Sequence, residues 1–344
     1  MNQTVFAGPD CKSPTLFLNI LHAVFLTFVV VATVFGNLIV ITAVSVFHRL
    51  RRPTNYMILS LAFSDLLFAL MSLPLRIDQV VHNFNWCLGL ATCSYWAAVD
   101  AVFSSASICN LAAISVDRFI AITKPFEYPR IMNRRAVLCL IGLVWFYAFL
   151  WGILALFNWK DPGVQHIIVV RECANSDTIY FTVAAALSFF LPLIITVIAY
   201  SRVFKVAFIH AKAIATHTPT VTKKRQKSIA RELKAAKTLA IVVGAFVVSW
   251  LPFFVIILIA MWCQPCLEPL KENTALATAI KTIFVYVLPP LNSCVNPFIY
   301  TVFNREFRAA FSKMFANIKL GKKLGSSGMP EREECITETE TFGL

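Results

Sequence analysis

Seven stretches of this chain are long and apolar enough to cross a bilayer as helices, and nothing else narrows its fold as far. About 20 consecutive, mostly apolar residues suffice for one crossing. The stretches lie approximately at 17–47, 55–79, 90–123, 136–157, 179–208, 236–262 and 275–302. They are too long for spanning strands, and a helix satisfies all its backbone N–H and C=O groups within one segment. Composition agrees: 58% of the 344 residues are hydrophobic and Phe occurs 30 times, beyond what a soluble core of this size requires. The expected fold is an all-α membrane protein. A seven-transmembrane helix bundle over 17–302 follows an N-terminal segment, 1–16. A short amphipathic eighth helix over 303–316 and a tail over 317–344 complete it. Neither an internal repeat nor a separate soluble domain is evident.

Lys and Arg set the orientation. Arg49, Arg51 and Arg52 follow the first stretch, and Lys124, Arg130, Arg134 and Arg135 follow the third. "TKKRQKSIARELKAAK" follows the fifth; "NREFR" and "KLGKK" follow the seventh. All four clusters fall on one side of the membrane. The positive-inside rule puts that side in the cytosol with the C-terminus, and the N-terminus outside. The net charge of +13 reflects this inner face. A nucleic-acid reading of the basic runs is set aside because they hug the membrane exits. The first residues are polar and the first apolar run is long enough to span, so no cleavable signal peptide is expected. "NQT" at Asn2 is an N-glycosylation acceptor on the outer side. Six of the ten cysteines, Cys11, Cys87, Cys93, Cys173, Cys263 and Cys266, also fall outside, where disulfides persist. Cys109, Cys139 and Cys294 lie within helices as small apolar fillers, and Cys335 is cytosolic.

Charges within the apolar runs are functional candidates, because a bilayer makes them costly. Asp100 and Arg118 are 18 positions apart on the third segment, about 27 Å along a helix. Asp100 therefore lies towards the outer end and Arg118 at the inner end. Glu232 and Trp250 have the same spacing on the sixth, which runs the other way. Arg118 and Glu232 thus share the inner level, while Asp100 and Trp250 share the outer half. In "SVDRFIAITKPFEY", from Ser115 to Tyr128, Asp117 and Arg118 sit at the cytosolic mouth. Read alone, they are a surface ion pair worth ~0–1 kcal/mol.

The sequence resembles the rhodopsin-like, class A G-protein-coupled receptors over nearly its whole length. The motifs run in order: "GNLIV" with Asn37, "LSLAFSDLL" with Asp65, Cys93 with "DRF", Trp145, Pro192 with Tyr200, "FVVSWLPFF" and "NPFIY". Seven such marks on seven apolar runs are a specific signal. The resemblance implies a receptor, not an enzyme, that activates heterotrimeric G proteins and is regulated by arrestin and a receptor kinase. It implies residence in the plasma membrane, among lipid, with no nucleic-acid partner.

The resemblance also assigns roles. Arg118, held by Asp117 and Glu232 at rest, is released to the G protein together with Tyr200, Asn296, Pro297 and Tyr300. Phe119 stands where the family usually has Tyr, which removes one hydroxyl. Ile108, Pro192 and Phe246 match a core switch beneath the ligand; without the family they read as packing residues. Pro252 should kink the sixth helix. Asp65, Ser107, Asn292 and Asn296 match a sodium site occupied at rest. A hydrated hydrogen-bond network without an ion is the other reading. No other cofactor is required. Cys93–Cys173 matches the family's bridge, and Cys263–Cys266 in "CQPC" a short bridge found in many amine receptors. The even count outside then leaves Cys11–Cys87 as a third.

Asp100 shapes the ligand expectation. Read from sequence it is a charge stranded among aromatics, and Trp250, Phe253, Phe254 and Tyr286 suit an ammonium group. With Ser104 and Ser188 they form the expected ligand set, and the combination looks like the biogenic-amine branch. Three departures qualify that likeness. Val287 and Pro290 stand where amine receptors carry Trp and Tyr, and Ala184 and Ala185 replace serines that grip catechols. The resemblance thus favours a small cationic amine of the indole, imidazole or arylalkyl kind over a catechol. A class A receptor for a peptide or lipid is the alternative. An opsin is excluded because Pro290 occupies the retinal-lysine position, with Lys281 far above it. The adjacent Pro289 and Pro290 should distort the seventh helix.

Overall fold

In the computed structural model, apolar side chains cover the outside of a helical bundle as well as its interior. Phe28, Phe35, Phe146, Val197 and Phe298 are exposed, while Leu26, Met57, Leu61 and Ile114 are fully buried. This is the pattern of helices packed on one another and bathed in lipid. The structure describes residues 11, 15–157, 167–169, 173–175, 177–215, 223–268, 273–303 and 305–324; side chains are described for these except at 167–169, 174–175, 207–215, 223–240, 264, 274, 303, 305 and 317–324. Asn2 and the tail beyond 324 lie outside this set.

Seven helices among the described residues are long and apolar enough to cross a membrane: Phe17–Val46, Pro53–Val81, Gly89–Thr123, Arg134–Leu154, Thr178–Val206, Ile241–Trp262 and Ala275–Val302. Each coincides with an expected segment. The sixth begins earlier than its apolar run, as a helix from Lys223 to Trp262, because polar residues continue a helix beyond the bilayer. A further helix, Arg305–Leu324, runs past the expected end at 316. It is amphipathic: Phe307, Ala310 and Phe311 are buried, while Arg308 and Lys313 are exposed. Arg52 pairs with its Glu306 at 3.0 Å.

Proline explains the irregular helices. The second helix breaks at Ser72, between Pro53–Met71 and Leu73–Val81, with Pro74 in the first turn of the second piece. Proline suits a first turn and lacks an N–H. Pro192 follows a π-helical turn over Ala185–Phe190, in which the Leu191 N–H bonds Ala186 O. Leu187 O then has no intrahelical donor, and the Tyr147 hydroxyl donates to it at 3.1 Å. A second π turn, Thr282–Val287, precedes the double proline, and the helix resumes at Leu288. This is the expected distortion. Pro252 lies inside the sixth helix, which continues through it.

Small residues set the closest approaches. A Cβ on Gly36 would come within 2.8 Å of Pro297 Cγ, so glycine lets the first helix meet the seventh. Gly152 lies against Val102 and Ala98, where an added Cβ would sit 3.0 Å from Ala98 O. Trp145 Nε1 donates to Ser60 Oγ at 3.0 Å and ties the fourth helix to the second.

One short antiparallel hairpin departs from the all-α pattern among the described residues. Ile167–Val169 pairs with Cys173–Asn175, with Val169 opposite Cys173. It lies between the fourth and fifth helices and is pinned to the third by Cys93–Cys173, with Cα atoms 5.7 Å apart. Cys263–Cys266 and Cys11–Cys87 are also bridged, at 5.3 and 5.9 Å. All three expected pairs are therefore present. Thr15 Oγ1 donates to Val81 O at 2.7 Å beside the last of them. Cys109, Cys139 and Cys294 are free.

Candidate functional site

The helices enclose a cavity of about 500 Å³ towards the Cys11 end of the bundle, a size suited to small ligands. Asp100, Ser104, Ser188, Trp250, Phe253, Phe254 and Tyr286 all line it, so the expected ligand set converges on one space. Its walls are mainly aromatic and aliphatic. Phe253 stands edge-on to Trp250 at 5.7 Å. Phe254 stacks on Phe189 at 4.3 Å, and Phe189 lies 5.8 Å from Phe246. Ring contacts thus run from the cavity towards the core, where Ile108 and Phe246 are buried in the same cluster. Ser188 spends its proton on Ala184 O at 2.7 Å. Ser104 Oγ and Trp250 Nε1 are buried without a protein partner.

Asp100 is not stranded, which corrects the sequence expectation. Ser72 Oγ donates to Asp100 Oδ1 at 2.6 Å. Arg76 Nη2 lies 3.6 Å from the same oxygen. The family's Tyr partner for this Asp is absent, because position 290 is Pro. Two residues of the second helix hold it instead, on either side of the proline-bearing turn. Sequence reading missed both, although an Arg inside an apolar segment was a signal to follow.

Arg76 is buried, at 8% exposure. Its guanidinium lies 5.3 Å from the Trp96 ring and 5.6 Å from the Tyr286 ring. Nη1 donates to Val285 O at 3.2 Å. That carbonyl is open for a sequence reason. Its α-helical donor would be residue 289 and its π-helical donor residue 290, and both are proline. The double proline thus creates an acceptor that Arg76 takes. Arg76 Nε is buried without a partner. Phe84, at φ 64 in the left-handed region that bulky residues rarely adopt, meets Tyr286 at 4.8 Å. The Lys281 ammonium lies 5.7 Å from the Phe84 ring and lines the same cavity.

A second polar cluster surrounds Asp65, which is fully buried. Ser107 Oγ and Ser293 Oγ donate to Oδ1 at 3.1 and 2.9 Å. Asn296 Nδ2 donates to Oδ2 at 2.8 Å. Ser293 was missed, and no bond from Asn292 to Asp65 is seen; Asn292 Oδ1 is buried without a partner. A carboxylate, two hydroxyls and an orphan amide oxygen are hard donors and fit a sodium ion. Asn296 turns its amide nitrogen to the carboxylate, and its Oδ1 is likewise buried without a partner.

The third cluster lies at the opposite end. Asp117 and Arg118 are both buried, so they are not a surface ion pair. Arg118 Nε and Nη2 donate to Asp117 Oδ2 at 2.9 and 2.5 Å. Thr54 Oγ1 donates to that oxygen at 2.9 Å and the Tyr128 hydroxyl to Oδ1 at 2.8 Å. Arg118 Nη2 also contacts Thr54 Oγ1. Burial and then the Asp117 charge push the Tyr128 phenol up to about 12, which keeps it a donor. Thr54 and Tyr128 were missed, though Tyr128 closes the stretch that carries the pair. Tyr200 and Tyr300 are buried in the same core, near this end. The Glu232 side chain lies outside the described set.

Seven apolar helices around an aromatic cavity with one seated carboxylate, and a buried Asp–Arg pair at the far end, describe a seven-helix receptor. Residues 36–300 match the 7 transmembrane receptor (rhodopsin family), and the chain belongs to that family. It is 33% identical to the D(1B) dopamine receptor of Xenopus laevis over 91% of this chain and 74% of that one. It is 31% identical to the alpha-1A adrenergic receptor of Rattus norvegicus, over 91% and 72%. Identity to the human alpha-1D adrenergic receptor is 34%, over 85% of this chain and 55% of that one. These relatives are receptors, and the chain is a receptor, not an enzyme.

Proposed function

We propose that the chain is a plasma-membrane receptor. It takes a small ligand bearing a cationic amine into the cavity at its Cys11 end and activates a heterotrimeric G protein at its Arg118 end. The Cys11 end is then extracellular, as the basic residues beside the other helix ends support. Asp100 carries the ligand reading. It is a carboxylate on the wall of an aromatic cavity, and such rings attract ammonium groups. Relatives named as dopamine and adrenergic receptors support the same class of ligand.

Arg118, held by Asp117, Thr54 and Tyr128, is the group released towards the G protein, with Glu232, Tyr200, Asn296, Pro297 and Tyr300 in the same switch. Ile108, Pro192 and Phe246 link the cavity to it. Asp65, Ser107, Asn292 and Asn296, joined by Ser293, hold a sodium ion at rest. Residues 1–16 form the extracellular segment with a glycan at Asn2, and 317–344 the cytosolic tail on which receptor kinase and arrestin act.

The test is a G-protein activation assay on surface-expressed receptor, with a broad panel of amine-bearing compounds. Truncating one partner of a buried charge pair costs ~2–5 kcal/mol. Asp100→Asn is therefore expected to lower the potency of any activator about a hundredfold or more at equal surface expression. Unchanged potency overturns the amine reading.

A further inference from the structure

We propose that the ligand is a zwitterion: an α-amino acid with an aromatic or bulky apolar side chain, its ammonium group on Asp100 and its carboxylate on Arg76. This rests on the amine reading above and names the rest of the molecule.

The charges of the cavity carry the argument. Asp100 is the one carboxylate among the described lining residues, and the buried Arg76 shares the cavity with it. A simple amine would bring a second cation to that one carboxylate. It would also compete with Arg76 for Asp100, 3.6 Å away. Winning that competition leaves a buried guanidinium without its counter-ion, which is costly. An α-amino acid avoids the cost, because it carries both signs on one carbon. Its ammonium replaces Arg76 at Asp100 while its carboxylate replaces Asp100 at Arg76, so neither buried charge is left unpaired.

Arg76 is placed for this exchange. Its plane is held by Val285 O and by the rings of Trp96 and Tyr286, and none of these contacts depends on Asp100. A guanidinium fixed in this way presents its remaining N–H groups as a fork that suits a carboxylate. One of them, Nε, is buried and has no partner. Below the charged pair the cavity is lined by Phe181, Trp250, Phe253 and Phe254. These accept a ring or branched alkyl group but offer little to a small polar side chain.

The experiment compares matched pairs on surface-expressed receptor: tryptophan with tryptamine, phenylalanine with phenethylamine, and leucine with isopentylamine, together with each amino acid's methyl ester and N-acetyl derivative. G-protein activation is read alongside the thermal shift of purified receptor. At least one amino acid is expected to act at concentrations tenfold or more below its amine and its ester. Arg76→Gln is expected to abolish that preference, bringing acid and amine to similar potency, and Arg76→Lys to restore part of it. An amine equal to or better than its amino acid in every pair, or a preference that survives Arg76→Gln, overturns the zwitterion while leaving the amine reading intact. An active N-acetyl derivative overturns both, since it has no ammonium group. Amino acids that shift neither signalling nor melting also overturn the proposal.

Discussion

Asp117 accepts hydrogen bonds from Arg118, Thr54 and Tyr128 at once, and such a buried charge depends on every donor. Removing a donor to a charged group costs about 1.5–3 kcal/mol. Tyr128→Phe deletes one bond and little volume. It is expected to loosen the hold on Arg118 and raise ligand-independent G-protein activation severalfold, read as basal nucleotide exchange in membranes. A basal rate equal to wild type would remove Tyr128 from the switch. If the Asp65 cluster holds sodium as proposed, raising NaCl is expected to lower agonist affinity, since an ion that favours the resting state opposes an agonist that favours the active one. Asp65→Asn should abolish that sensitivity, and its survival would place the ion elsewhere. Sequence exposed Asp65, Asp100, Asp117 and Arg118 because charge in an apolar run is conspicuous. It hid Ser72, Thr54, Tyr128 and Ser293, which are ordinary residues until folding sets them beside a carboxylate.

Among the elements, proline explains more than hydrophobicity does. Pro289 and Pro290 withhold both possible helical donors from Val285 O, and Arg76 fills the gap. Pro289→Ala restores one donor and sets it in competition with Arg76. One hydrogen bond is worth about 0.5–1.5 kcal/mol, so ligand potency should fall roughly two- to tenfold at normal surface expression. The same substitution made on Arg76→Gln should add nothing, and additive losses would show that the two do not communicate. Gly152 makes a different contribution: its lack of a side chain lets the fourth helix lie on Ala98 and Val102. Gly152→Val overpacks that contact by about 1–3 kcal/mol. It is expected to lower the melting temperature of purified receptor and its surface level, while leaving the potency of the receptor that reaches the surface unchanged.

For the molecule as a whole, the three bridges gather at one end. Cys11–Cys87 closes 76 residues of sequence and brings the N-terminal segment to the turn after the second helix. Crosslinks over long loops restrict the unfolded chain most, at about 2–4 kcal/mol in the usual range. Replacing both cysteines with Ser is expected to lower thermal stability and leave G-protein activation by bound ligand intact. Non-reducing peptide mapping should recover Cys11 and Cys87 on one linked peptide pair, and separately alkylated peptides would refute the bridge.

Run length determined the helical architecture, because a bilayer accepts only helices of sufficient length. The ordered motifs settled the family, and the seven expected ligand residues do face one cavity. What the cavity asks of a ligand was decided only by tertiary structure. Arg76 and Asp100 are 24 positions apart on different helices, and a reading of one helix at a time leaves each alone. Their pairing depends on the break at Ser72, on two prolines in the seventh helix and on the packing of three helices around them. Such a contact is a property of distance in space, which spacing along the chain does not encode.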